Sequence, residues 1–284
     1  MPVCRLSLRA LCLSVLLLVA VPSWALGLAP KAVKSTGGEV SSIARDIASA
    51  GVLRAQAQRL AKLYLQAGLG LNASTANRQI ELAMAQVDTE LKQLSRYSER
   101  AATLRPLART AGSWQTLRAA VLQPYSPAAA ERMGLLAEEL AIHAGKLAME
   151  IESSAETSVG RLLDLSSRQS MLAQRLARLY MLGLSGNRSQ GLPVDLAQTR
   201  LEFMAGLSEL EAAPESSLAA REALGLIRNQ WIFFDNAVRQ APVKGGDSKA
   251  AENVATCSER IAESLALMTA QYAQDFSDSG RTTR

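Results

Sequence analysis

The sequence predicts an all-α protein built from two tandem four-helix bundles, arranged in series and sharing a long connecting helix. Three observations carry that prediction. Apolar residues recur at three- and four-residue spacing from about Glu39 almost to the C-terminus. Ala and Leu dominate while aromatics make up only 4% of the chain, which favours helix over strand on intrinsic propensity. The segment Ala57-Gln58-Arg59-Leu60-Ala61-Lys62-Leu63-Tyr64 returns as Ala173-Gln174-Arg175-Leu176-Ala177-Arg178-Leu179-Tyr180, an offset of 116 residues.

Taken from the N-terminus, Arg5 and Arg9 precede an apolar run from Leu11 to Ala20, then Pro22 and the small-x-small pattern Ser23-Trp24-Ala25. This order of charged, apolar and small residues is that of a secretory signal peptide over residues 1–25, cleaved near Ala25. The apolar run is shorter than the roughly 20 residues a spanning helix needs. The mature chain is therefore expected in the periplasm, with any signal passing through a partner protein. Cys4 and Cys12 lie in the leader, so only Cys257 remains and no internal disulfide is expected.

Residues 26–38 carry Gly and Pro and are expected to form a linker. Helix one is expected from about Glu39 to Ala67, ending at Gly68-Leu69-Gly70, and helix two from after Ser74 to about Arg100. Helix three starts near Pro106 and stops before Pro124. From Pro127 to about Leu184 no proline intervenes, which predicts one very long helix, or two nearly collinear ones, serving both bundles. A loop over Ser185 to Pro193 precedes helices at about Val194 to Ala212, Ser217 to Gln240 and Ser248 to Phe276. The expected units are a first bundle at 39–153, a second at 154–276 and a flexible tail at 277–284. Trp114 with Ala120-Val121 is echoed by Trp231 with Ala237-Val238 at an offset of 117, so the match spans most of a bundle.

Several functions are set aside by composition. The formal charge of +5 loses two units with Arg5 and Arg9, and both signs are interleaved, which gives no basis for nucleic-acid binding. His143 is the only histidine and has no Cys partner nearby, so neither a metal centre nor a His-based catalytic site is expected; it reads as a helix-surface residue. Glu138, Glu139, Glu150 and Glu152 lack the Glu-x-x-His pattern of a di-metal bundle and read as a solvated face. Asn72-Ala73-Ser74 and Asn187-Arg188-Ser189 match a glycosylation sequon but read as turns between helices. No catalytic residue, cofactor or activated nucleophile is expected.

The residue that stands out is Arg54. Helix one carries a seam of Ile47, Gly51, Arg54, Gln58 and Ala61, the heptad spacing of a helix packed closely along another. A guanidinium in a small-residue seam requires an anionic partner. Arg54 either pairs with a carboxylate on a neighbouring helix, or bends out to water, or meets a second copy across a symmetric interface where the two share a small anion. Gln58-Arg59 and Gln174-Arg175 read more simply as bundle packing with surface pairing.

The segment Ala50-Gly51-Val52-Leu53-Arg54-Ala55-Gln56-Ala57-Gln58-Arg59-Leu60-Ala61-Lys62 resembles the AG-x-x-R-M-x-S-Q-R-x-A-K signature of PilJ-type sensory domains, the N-terminal domains of type IV pilus and other methyl-accepting chemotaxis transducers. It is also similar to a segment of nitrate/nitrite sensor kinases of the NarX type. Residues 166–178 resemble it more distantly, with Ser167 in place of Gly51 and Ser170 in place of Arg54. Arg168 lies about 160° from Ser170 around the helix and does not replace it. The resemblance implies a small anion, nitrate or nitrite foremost, held by Arg54 where helix one meets its counterpart in a homodimer, with Gly51 permitting close approach and Gln58 as a polar neighbour. It also implies a membrane receptor or sensor kinase as partner. The expected function is that of a periplasmic sensory protein binding a small anion; the alternative is a ligand-free helical module that binds a receptor or envelope protein.

Overall fold

The computed structural model describes residues 37–153, 160–239 and 248–282. The expected leader at 1–25 and nearly all of the linker lie outside the described residues. Within them stand eight α-helices and no strand: α1 (Gly37–Gly68), α2 (Ala73–Leu94), α3 (Ala101–Val121), α4 (Pro127–Ser153), α5 (Gly160–Leu184), α6 (Gly191–Ala212), α7 (Leu218–Arg239) and α8 (Ser248–Thr282). The all-α class is as expected from the sequence. None of these helices is long and apolar enough to cross a membrane.

Local chemistry explains the helix ends. After α1 the chain turns at Gly70, whose φ of 76° suits a residue without Cβ, and at Asn72, whose φ of 49° suits its short polar side chain. Asn187 makes the comparable turn before α6, its Oδ1 accepting from the Ser189 amide at 3.0 Å while its Nδ2 donates to Glu131. Both sequon asparagines are thus turn residues, as expected. Helix two ends earlier than expected, because Ser95–Glu99 tightens into a 3-10 turn. α8 continues to Thr282, through most of the stretch expected to be a flexible tail; no proline stands there to stop it.

One expectation is overturned. α4 and α5 do not form a long shared helix but lie antiparallel, so the two halves stand side by side rather than in series. Asn187 just beyond α5 bonds Glu131 near the start of α4, Arg178 and Arg175 bond Glu138, and Gly160 packs on Glu152. These contacts run in opposite directions along the two helices. The reason is energetic: a straight helix would leave the apolar and small-residue stripes of α1 and α5 uncovered, whereas a reversal between Ser153 and Gly160 buries both against each other.

The centre of the molecule is the pair α1 and α5, each buried on nearly every face. They run parallel, since Gly51 meets Ser167 and Gln58 meets Arg178. α1 is flanked by α2 and α4, and α5 by α6 and α8; α3 packs on α4 and α7 on α8. The helices flanking this pair run antiparallel to it: Tyr64 near the end of α1 donates to the Pro124 carbonyl ahead of α4, and Ser166 and Gln174 of α5 bond Thr269 and Ser258 of α8. The core is continuous across both halves, from Leu53, Trp114 and Leu140 to Leu176, Phe203 and Leu265. Trp231 stacks on Phe203 at 4.2 Å between ring centroids and meets Phe234 edge-on, while Trp114 donates to Asp88.

Candidate functional site

The α1–α5 seam gathers every site residue expected from the sequence. Gly51 and Ser167 occupy equivalent places in the two matching segments and face each other directly. A Cβ on Gly51 would overlap the Ser167 side chain, so glycine here is what lets the backbones approach. The close approach expected of Gly51 is present, with a correction of partner. The face of α1 expected to meet a second copy in a homodimer is covered by α5 of the same chain, because α5 runs antiparallel to α4 and alongside α1.

Arg54 points into the crevice between α1, α4 and α5 and packs against Gly145. Its Nη1 forms an ion pair with Asp164 of α5. Of the three alternatives open at the sequence level, the carboxylate on a neighbouring helix is the one present. Gln58 does not join Arg54: its Oε1 accepts from Arg178 Nε at 2.8 Å. Glu152 lies close enough to Asp164 for its carboxyl to be pushed up, by burial first and by the neighbouring negative charge second.

Below Arg54 the returning motif builds two matching interlocks. On one side Arg59 and Lys62 of α1 grip Glu259 of α8, and Gln174 of α5 donates to the same carboxylate and to the Ser258 carbonyl. On the other, Arg175 and Arg178 of α5 grip Glu138 of α4, and Gln58 of α1 accepts from Arg178. Each half thus sends a basic pair into a carboxylate on the last helix of the other half. Sequence reading expected Gln58-Arg59 and Gln174-Arg175 to serve packing and surface pairing, but the pairing crosses the seam. It also read Glu138 as part of a solvated face; Glu138 is instead an anchor. The signal that finds both anchors is a further echo: Ala129-Ala130-Glu131 with Glu138, and Ala250-Ala251-Glu252 with Glu259, at an offset of 121.

The interlocks differ in burial and in one atom's worth of reach. Lys62 is wholly buried, and burial lowers its pKa against the opposing pull of Glu259. Burial likewise lowers that of Arg178 against Glu138. Burial also works against the charge of Glu259, but Lys62 and Arg59 outweigh it and hold its carboxyl at about 2. Arg178 has enough nitrogens to serve both Glu138 and Gln58 Oε1, while Gln58 Nε2 is left without a partner. Lys62 has one nitrogen, which it spends on Glu259 and Ser258, and Gln174 Oε1 is left without a hydrogen-bond partner.

Along the α8 side of the seam runs an open groove of about 500 Å³ between α1, α2, α5 and α8. Its floor is Gly51, Ala55, Ser167 and Ser170; Gln86, Glu90 and Gln93 line the α2 wall, and Glu259, Glu263 and Ala266 the α8 wall. Sequence reading did not foresee this groove. Among the described residues no group of three or more His, Cys, Asp or Glu is placed to hold a metal. His143 is partly buried and bonds the Ser113 hydroxyl at 2.7 Å.

Against known proteins, the match is local and specific. Residues 39–134 match the PilJ family, described as the type IV pili methyl-accepting chemotaxis transducer N-terminal region. The matched stretch covers α1, α2, α3 and the start of α4, and includes the Gly51 to Lys62 motif. The signalling family so indicated agrees with the resemblance seen in the sequence. No curated protein and no solved structure matches the chain.

Proposed function

We propose that this chain is an exported sensory module of the chemotaxis-transducer kind, in which two duplicated bundle halves form within one chain the paired first helices that two copies would otherwise supply. A small molecule bound at the α1–α5 seam would bias how the halves pack, and a partner protein would read that state. The observation that carries this reading is the pair of interlocks, Arg59 and Lys62 on Glu259 against Arg175 and Arg178 on Glu138, built from the same motif on both sides of the seam. Buried polar groups of this kind fix one register of packing, which a sensor needs if a small displacement is to be legible. The periplasmic location rests on the leader at residues 1–25.

Spin labels on the exposed outer helices, at Arg109 of α3 and Arg228 of α7, test the reading. A ligand from a panel of small anions, amines and neutral solutes should shift the distance between them. If a compound binds and the distance never moves, the seam is not the signalling element; if nothing binds, the chain is a ligand-free interaction module.

A second reading keeps nitrate or nitrite at Arg54, favoured by the burial of that guanidinium beside Gly145 in the seam. Asp164 already holds it, so an incoming anion must displace a carboxylate. On this reading Asp164→Asn tightens nitrate binding and Arg54→Ala abolishes it; nitrate affinity indifferent to both removes the anion from Arg54.

A further inference from the structure

We propose that the groove between α1, α2, α5 and α8 binds a small organic ammonium compound. The inference rests on the sensory reading above and names the ligand chemistry of its seam. The groove exists because the small residues on its side replace larger ones on the other. Ser170 stands where the first half has Arg54, Ala48 where the second has Asp164, and Ala55 where the second has Met171. The volume that Arg54 and Asp164 fill beside α4 is open beside α8.

The chemistry around that space calls for donors rather than acceptors. Glu90 from α2 and Glu263 from α8 face it from opposite walls, and neither has an ion-pair partner among the described residues. Glu259 and Arg59 also border it, but they are engaged with each other. Arg45, at one end, is the remaining cation of the lining. The second observation is independent of charge. Gln174 is 1% exposed and lines the groove, and its Nε2 donates to Ser258 and Glu259, which fixes the amide orientation and leaves Oε1 as an orphaned acceptor. A buried acceptor without a donor is costly, and a ligand N–H would relieve it. A primary ammonium supplies three donors and a positive charge for Glu90, Glu263 and Gln174. The methyl groups of Ala55 and Ala266 accept a short alkyl body, and about 500 Å³ is ample for one. Nitrate would meet the wrong polarity here.

The shared chemistry covers alkyl diamines and amino acids, and the test separates them. Thermal shift and calorimetry are run on the full chain with 1,4-diaminobutane, alanine, alanine methyl ester, sodium nitrate and a neutral sugar. Expected is saturable binding of at least one ammonium compound. Glu263→Gln, at an exposed position away from the core, should weaken it at least tenfold. Ala55→Met, which copies the residue at the equivalent place in α5, should abolish it while the melting temperature without ligand stays near wild type. Preference for alanine over its ester would assign Arg45 to the carboxylate; preference for the diamine would not involve Arg45. If nitrate or the sugar binds and no ammonium compound does, the ligand class is overturned while the sensory reading stands. If ammonium binding survives both substitutions, the groove is overturned as its site. If nothing binds to folded protein, both readings fall together.

Discussion

The two faces of the α1–α5 seam begin from the same motif and end differently. Beside α4, Arg54 and Asp164 fill the space, and Arg178 donates to both Glu138 and Gln58 Oε1, leaving Gln58 Nε2 as an unmet donor. Beside α8, Ser170 and Ala48 leave a groove, and Lys62 satisfies Glu259 but not Gln174. The closed face has the chemistry of structure, with charges matched and volume filled. The open face keeps an unfilled volume, and its unmet group is an acceptor where that of the closed face is a donor; a polar-lined volume of this kind is where a protein binds something else. A motif that is symmetric in sequence can therefore divide its labour, one copy holding the halves together and the other leaving room.

Breaking the interlocks one at a time sharpens that comparison. Glu259→Gln should be the most damaging change, because it strands Lys62, whose side chain is wholly buried; loss of one partner of a buried pair costs about 3–5 kcal/mol. Gly51→Ala should cost about 1–3 kcal/mol by forcing apart a backbone contact that has no room for a methyl group. Pairing it with Ser167→Gly should return much of that loss, which separates crowding at the seam from a helix-propensity effect of opposite sign. Glu138→Gln should cost less than Glu259→Gln, since its side chain is 31% exposed, water can reach Arg175 in its place, and Arg178 keeps its hydrogen bond to Gln58. Chemical denaturation of the four proteins gives all these values, and equal losses for Glu138→Gln and Glu259→Gln would erase the distinction between the faces.

The Glu259 interlock also governs acid stability. Glu259 titrates at about 2 in the folded chain against 4.5 for an ordinary glutamate, so the unfolded chain binds the proton more readily. Its contribution is fully present above about pH 4.5 and is lost as the pH falls toward 2. Glu259→Gln should flatten that part of the stability curve. An unchanged slope in the variant would place the acid sensitivity elsewhere.

Much of this was legible in the sequence, for identifiable reasons. Helices α1, α6 and α7 and the end of α3 follow from apolar periodicity and from stops at Gly68, Pro124 and Pro214, signals that act locally, whereas α3 starts at Ala101, ahead of the Pro106 expected to open it. Gly51 was legible because a glycine in a heptad seam has few other uses. The antiparallel return of α5 was not, because no proline and no glycine stands between Ser153 and Gly160 to signal it. Missing it hid the partner of Arg54, since Asp164 is brought to it only by the return of α5. The groove was invisible for a related reason: it is an absence of side-chain volume at Ala48, Ala55 and Ser170, and its walls come from four helices distant in sequence.

The central claim is that the second half folds back beside the first, and the ends of the α4–α5 hairpin test it most directly. Glu131 and Asn187 are hydrogen-bonded across it at 2.7 Å. Spin labels at Glu131→Cys and Asn187→Cys, with Cys257→Ser to remove the native thiol and an excess of unlabelled protein to suppress pairs between chains, read their separation. The side-by-side arrangement predicts a distribution at the short limit of the method, two label lengths apart. A continuous helix between them would place them about 80 Å apart at 1.5 Å per residue, and a distance in that range would contradict the account.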